Sequence, residues 1–313
     1  VHDAASGCPD WEDDEVAIVP DLREVIAGAV RSRVVGPDAD GSMIFDAPGP
    51  RWFAADRPIR IVHADSAMFI GGLRALLFQS LHPLAMAGVA QHSNYRDDPW
   101  GRLQRTAHFL ASTTFGPVDE AERAVEIVKR VHTHVHGLAS DGRAYSASDP
   151  HLLRWVHIAE ISSFLAAHQR FGAQPLDQAG RDGYVADMAV VARALGVPAP
   201  PESERALNDQ LRNYRSEMKG SRDAREAARY LVLTPPLPGP ARAAYGVLAA
   251  SAVSLLPVWA RRQLLLPWFP LTEQVAVRPA GDALTRVLRW AMTPGDPAAR
   301  LPGAHDPSVS PVG

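Results

Sequence analysis

The chain has 313 residues, 46% hydrophobic and 21% charged, with a formal net charge of -3; this is globular composition, long enough to bury a large core as one domain with trimmings. The near-neutral balance leaves no basic footprint for nucleic acid, and the single cysteine, Cys8, excludes an intramolecular disulfide framework, an iron–sulfur cluster and any multi-cysteine zinc site. Low cysteine usage reads as cytoplasmic, and the start shows no n-region and h-region of a signal peptide; because the chain opens on Val1 rather than methionine, removal of an earlier targeting segment stays open.

Residues 1–62 read as an irregular N-terminal wrap, with strand-like pieces at "VAIV" and "SMIF" and a short helix near "DLREVIAGAV". A helical domain follows over residues 63–292. "DSAMFIGGLRALLFQSLH" is a strongly apolar helix capped by Asp65 or Ser66 and halted at His82-Pro83. Its two glycines read as a close helix crossing. "PLAMAGVAQH" is a short buried helix, and "DPWGRLQRTAHFLASTTFG" opens at Asp98 with Pro99 at the first helical position and ends at Gly116.

The next helix starts near Pro117 and carries three histidines at alternate positions in "VEIVKRVHTHVHG". At 3.6 residues per turn, Ala121, Val125, Val128, His132 and Val135 share one inward stripe. His134 points to the solvated side among Glu122, Arg123, Lys129 and Arg130, and His136 sits at the helix end before Gly137. Two readings of His132 stand: a core histidine bonded to a backbone carbonyl, or a ligand.

"SDPHLLRWVHIAEISSFLAAHQRFG" is the third long helix, capped by Ser148 or Asp149 and closed by Gly172, with Trp155 packing inward. Further helices read from "GYVADMAVVARALG", "SERALNDQLRNYRSEM" and "DAREAARYLVL". The apolar run from Ala243 to Leu256 is shorter than a membrane span of about 20 residues and reads as a buried helix. Trp259, Trp268 and Phe269 just beyond it offer a peripheral membrane contact. "GDALTRVLRWAM" closes the domain, and the Pro-, Gly- and Ser-rich tail 293–313 reads as disordered.

The fold class is therefore all-α, and it limits the chemistry. A di-iron bundle needs Glu-x-x-His on two helices, whereas "HIAE" at His157–Glu160 is the reverse order and occurs once. His-Glu-x-x-His and a P-loop are both absent. A haem pocket needs only one inward histidine with apolar walls and a few polar groups. Arg102 and Thr106, one turn apart with Phe109, Leu110 and Thr113, can supply those groups; alternatively they are a helix-end salt bridge with Asp97 or Asp98 and a threonine satisfied by its own helix. His157, beside Leu153, Ile161 and Phe164, is a second ligand candidate or a core histidine.

"GGLRALLFQSLHPLAMAGVAQHS", "PWGRLQRTAHF", "VKRVHTHVHG" and "DPHLLRWVHIAEISSFLAAHQRFG", in that order, resemble the catalytic-domain family of latex clearing protein and the MpaB oxygenases over about Ala64 to Gly196. The resemblance implies a globin-like helical core with additional helices, haem b as cofactor and dioxygen as co-substrate. It places the proximal iron ligand on His132, the distal arginine and threonine on Arg102 and Thr106, and a non-ligating histidine near His157. Two departures stand out: Arg105 occupies the place of a distal lysine, and a guanidinium is a poor ligand, while "HPLAMAGVA" has no counterpart of the family's proposed glutamate base. Polyisoprene cleavage by that route is thereby in doubt, and the expectation is a haem-dependent oxygenase or oxidase acting on an apolar small molecule or an isoprenoid-like substrate. The rivals are a haem-binding sensor or carrier without turnover and a non-haem helical protein.

Overall fold

The structure, a computed structural model, describes residues 21–34, 42–93, 96–235, 237 and 239–293. Cys8, the "VAIV" piece and the tail from residue 294 lie outside them. In chain order the helices are α1 (Leu22–Val34), α2 (Ser42–Phe45), α3 (Pro58–Ala64), α4 (Met68–Gln79), α5 (Pro83–His92), α6 (Pro99–Phe115), α7 (Val118–Thr133), α8 (Pro150–Phe171), α9 (Gln178–Ala194), α10 (Glu204–Asn213), α11 (Arg222–Leu233), α12 (Gly239–Ser254), α13 (Val258–Leu264), α14 (Pro270–Thr272) and α15 (Arg278–Met292). A 3₁₀ turn, Tyr214–Ser216, follows α10, and a π-helical turn, Glu273–Val277, joins α14 to α15. Between α7 and α8, β1 (His136–Leu138) and β2 (Ala144–Ser146) pair antiparallel, Gly137 opposite Tyr145. The fold is all-α.

The long helices begin and end where local chemistry dictates. The Asp98 carboxylate accepts from Gly101 N at 2.9 Å with Pro99 in the first turn, and Asp149 accepts from His151 N at 2.8 Å with Pro150 behind it. Both helices stop at glycines, Gly116 and Gly172. At the centre α4 crosses α8, and Gly71 makes the approach: a Cβ there would lie 2.7 Å from Phe164 Cδ1. Around this crossing Ile70, Leu77, Phe78, Trp155, Ile158, Ile161 and Phe171 are buried, and Trp155 Nε1 donates to the Gln79 carbonyl at 3.1 Å. The Arg74 guanidinium, also buried, donates to Ser163 Oγ at 2.6 Å and to the Leu255 carbonyl at 3.1 Å, tying α4, α8 and the end of α12 together.

Several local readings change. "SMIF" is a single helical turn, α2, rather than a strand-like piece. "PIRIVHA" within and beyond the supposed irregular wrap is α3, whose Ile59 and Val62 are wholly buried, so tertiary packing overrides its β-branched residues. The third long helix proves true to its caps, but the histidine helix ends at Thr133; His136 opens β1, and it is His134 whose Nδ1 donates to a last-turn carbonyl, that of Arg130, at 2.9 Å.

No single helix among the described residues is long and apolar enough to cross a membrane; two bent pairs, α3 with α4 and α12 with α13, pass a test of length and composition together. Trp259 turns inward, 5.8 Å from the Phe78 ring and beneath the Arg215 guanidinium, instead of facing outward with its neighbours. Leu265, Trp268, Phe269, Leu271 and Val275 are 50% to 77% exposed.

Candidate functional site

Helices α6 and α7 are separated only by Gly116 and Pro117, so the start of α6 and the end of α7 are the two far ends of one helical pair. Near the corner the pair is well covered: Ser112, Thr113 and Thr114 on α6 and Ala121, Ala124 and Val125 on α7 are buried. Towards the far ends apolar side chains are bare, with Leu103, Ile127 and Val131 all exposed. Arg102, Thr106 and His132 lie in these far regions.

His132 follows Ala121, Val125 and Val128 along the covered stripe of α7 and is half-buried. Desolvation lowers its pKa, keeping the imidazole neutral, and the ring has no hydrogen-bond partner among the described residues. A core histidine bonded to a carbonyl is thus not what the structure contains. Arg102 is half-buried and its Nη1 donates to Ser93 Oγ at 2.6 Å. Thr106 is exposed, and its hydroxyl donates to the Arg102 carbonyl at 3.1 Å. Arg105 faces solvent and pairs with Asp98 at 3.3 Å, the ion pair that the sequence offered to Arg102.

His157 on α8 is buried, and burial lowers its pKa to about 3; its Nε2 meets no partner. No hydrogen bond, ion pair or ring contact among the described residues joins His132 or His157 to Arg102 or Thr106. What surrounds α8 instead is a second polar group assembled from four helices. His63 Nδ1 of α3 lies 2.8 Å from Thr114 Oγ1 of α6, and its Nε2 lies 3.4 Å from Tyr184 Oη of α9. The His63 ring meets Phe164 edge-on, centroids 5.5 Å apart, and desolvation lowers its pKa to about 3.

Glu160, one turn beyond His157, joins this interior. It keeps some accessible surface, yet desolvation raises its carboxyl to about 7, and its charge helps push the Tyr184 phenol up. A carboxyl poised near neutrality among neutral imidazoles can give or take a proton. Sequence reading singled out "HIAE" and set it aside as a metal motif; its proper signal was the shared face of His157 and Glu160 at a spacing of three. His63 and Tyr184 carried no local signal.

One further cluster can hold a metal ion: His82, His151 and Glu217 present ligand atoms within 4.8 Å of one another. The sequence marks His82 only as the place where an apolar helix halts, and His151 and Glu217 carry no local signal.

A comparison with protein families matches residues 60–290 to the catalytic domain described as ER-bound oxygenase mpaB/B′ and rubber oxygenase. No curated protein and no solved structure matches the chain.

Proposed function

Since the chain belongs to the mpaB and rubber oxygenase catalytic-domain family, we propose that it is a haem b-dependent oxygenase acting on an apolar small molecule, with His132 as the iron ligand. The observation that carries this reading is the state of His132: a neutral, half-buried imidazole without a hydrogen-bond partner among the described residues, on the covered stripe of α7. A neutral ring nitrogen is what iron binding requires. The bare apolar side chains at the far ends of α6 and α7 suit a flat hydrophobic group better than water.

Bound haem would supply the iron chemistry that activates dioxygen. The protein's part is to hold and polarise. His132 donates its lone pair, and desolvation keeps a competing proton off it. Arg102, hydrogen-bonded to Ser93, would supply a positive charge able to stabilise negative charge on a bound oxygen species. Thr106 contributes less, because its hydroxyl proton is given to its own helix. Arg105, exposed and paired with Asp98, would take no part in holding the iron. His157 would stand as a buried core histidine whose Nε2 has no hydrogen-bond partner among the described residues.

A peripheral membrane contact belongs to the same reading. Leu265, Trp268, Phe269, Leu271 and Val275 expose apolar and interfacial side chains within one short segment, and an apolar substrate partitions into lipid.

The test is the absorption spectrum of the full chain with haem b, wild type beside His132→Ala, followed by oxygen uptake with isoprenoid substrates. A Soret band in wild type that is lost or strongly shifted in the variant, together with substrate-dependent oxygen uptake, is the expected result. An absent band in a folded wild-type protein, or one unchanged in the variant, overturns the assignment. A band without oxygen uptake makes the protein a haem sensor or carrier.

A further inference from the structure

His82, His151 and Glu217 come from three separate places in the chain. His82 precedes α5, His151 stands in the first turn of α8, and Glu217 follows the 3₁₀ turn after α10. Both imidazoles address one carboxylate oxygen: Glu217 Oε2 is 2.8 Å from His151 Nε2 and 3.3 Å from His82 Nε2. The backbone of the next segment is fastened to the α4–α5 corner by Lys219 N donating to the Leu81 carbonyl at 2.8 Å. Trp155, 6.2 Å from the His82 ring, helps wall in that imidazole, which is almost wholly buried.

Tyr214 Oη gives its proton to the His151 carbonyl, 2.8 Å away, so towards His151 Nδ1, at 3.1 Å, it accepts, which directs Nε2 of that ring to Glu217. His82 Nδ1 is buried and unpartnered, so Glu217 Oε2 is the partner of that ring too, through Nε2. Two ring nitrogens from different elements thus converge on one acceptor-only carboxylate oxygen. A cation in place of the protons between these atoms would be held by both imidazoles and the carboxylate at once.

We propose that His82 Nε2, His151 Nε2 and Glu217 Oε2 form a binding site for a divalent transition-metal ion of the zinc or ferrous class. Ions of this kind hold nitrogen and oxygen ligands at about 2.0–2.2 Å, which sets neighbouring ligand atoms about 2.8–3.6 Å apart for octahedral to tetrahedral angles. The separations of 2.8 and 3.3 Å fall in that interval. Two histidines and one carboxylate leave coordination positions open, and the site borders a surface cavity of about 320 Å3 lined by His151, Arg154, Gln210, Asn213, Tyr214 and Glu217. Tyr214, stacked on His151 with centroids 4.5 Å apart, acts as the outer partner that orients a metal-bound imidazole. Arg143, whose charge reaches His82, is itself paired with Asp141 at 2.8 Å.

The inference stands independently of the haem reading, and its readout does not involve activity. The full chain is stripped with a chelator, desalted and titrated with Zn²⁺ by calorimetry, with metal content measured after dialysis. Wild type is expected to bind one equivalent that His151→Ala and Glu217→Gln each lose or weaken by about 100-fold, while Tyr214→Phe weakens it by about tenfold. His151 and Glu217 side chains are 48% and 39% exposed, so these substitutions spare the core, which a thermal melt verifies. No zinc binding by wild type, or equal binding by wild type and both ligand variants, overturns the site and leaves the cluster as a histidine–carboxylate ion pair.

Discussion

The Thr106 hydroxyl donates to the carbonyl oxygen of Arg102, 3.1 Å away and one turn earlier on α6. The two side chains thus have unequal prospects, because the one polar hydrogen of Thr106 is already used within the helix, whereas the guanidinium keeps its charge while bonded to Ser93. With an accepted substrate, Arg102→Ala is expected to lower the rate of oxygen uptake by about 100-fold, the scale of losing a charge-stabilising donor. Thr106→Val should stay within about threefold of wild type. The reverse ranking in steady-state kinetics would remove Arg102 from the proposed site.

Glu160 makes stability depend on pH in the opposite sense to an ordinary ion-paired carboxylate. Its folded pKa is raised from 4.5 to about 7 by desolvation. The unfolded chain therefore releases its proton first as pH rises, and the folded state loses stability between about pH 4.5 and pH 7, by about 3 kcal/mol in all. Glu160→Gln should leave stability at pH 4 nearly unchanged and remove this loss at pH 8, seen as a smaller decline in urea midpoint between the two. A parallel decline in the variant would show that the carboxyl is not desolvated.

Adjacent glycines on α4 should respond with opposite signs. At Gly71 a Cβ would stand 2.7 Å from Phe164 Cδ1, 3.1 Å from Phe164 Cα and 3.3 Å from Ala167 Cβ, so Gly71→Ala must push α4 and α8 apart, costing about 1–3 kcal/mol. At Gly72 nothing lies within 4 Å, and Gly72→Ala should gain up to about 1 kcal/mol from helix propensity. Thermal melts of the two variants decide it; equal shifts would mean the crossing is looser than described.

Trp268→Ser combined with Phe269→Ser removes two exposed side chains that make no core contact of the kind Trp259 makes. Co-sedimentation with neutral phospholipid vesicles should fall severalfold while the melting temperature holds. Unchanged sedimentation of wild type and variant would sink the membrane contact.

The caps show how much was written locally. Asp98-Pro99 with Gly116, and Asp149-Pro150 with Gly172, mark α6 and α8 to within a residue, and the four-three spacing from Ala121 to His132 identifies the covered side of α7. Where partners lie far off in sequence, local pattern fails. α3 has β-branched residues and no side-chain cap, and it is helical because Ile59 and Val62 are buried and Asp187 accepts from Ile59 N at 3.3 Å. "SMIF" is a short apolar, strand-like piece but closes as one turn of α2. The group of His63, Thr114, Glu160 and Tyr184 draws one residue from each of four helices, and His82 with Glu217 spans 135 positions, so neither assembly leaves a motif to read.

Helix α1 lies against α15, with Arg23 bonded to the Thr293 carbonyl and set over the Trp290 ring at 5.9 Å. Among the described residues the first helix thus has its principal partner in the last. At about 5–20 residues per second, the interval between Val34 and Arg278 corresponds to roughly ten to fifty seconds of synthesis. Through that period α6 is the other helix against which α1 can pack. Until α15 has been made, the face of α1 that it covers stays open, and a nascent chain stalled before α15 presents that face to whatever chaperone or membrane is nearest.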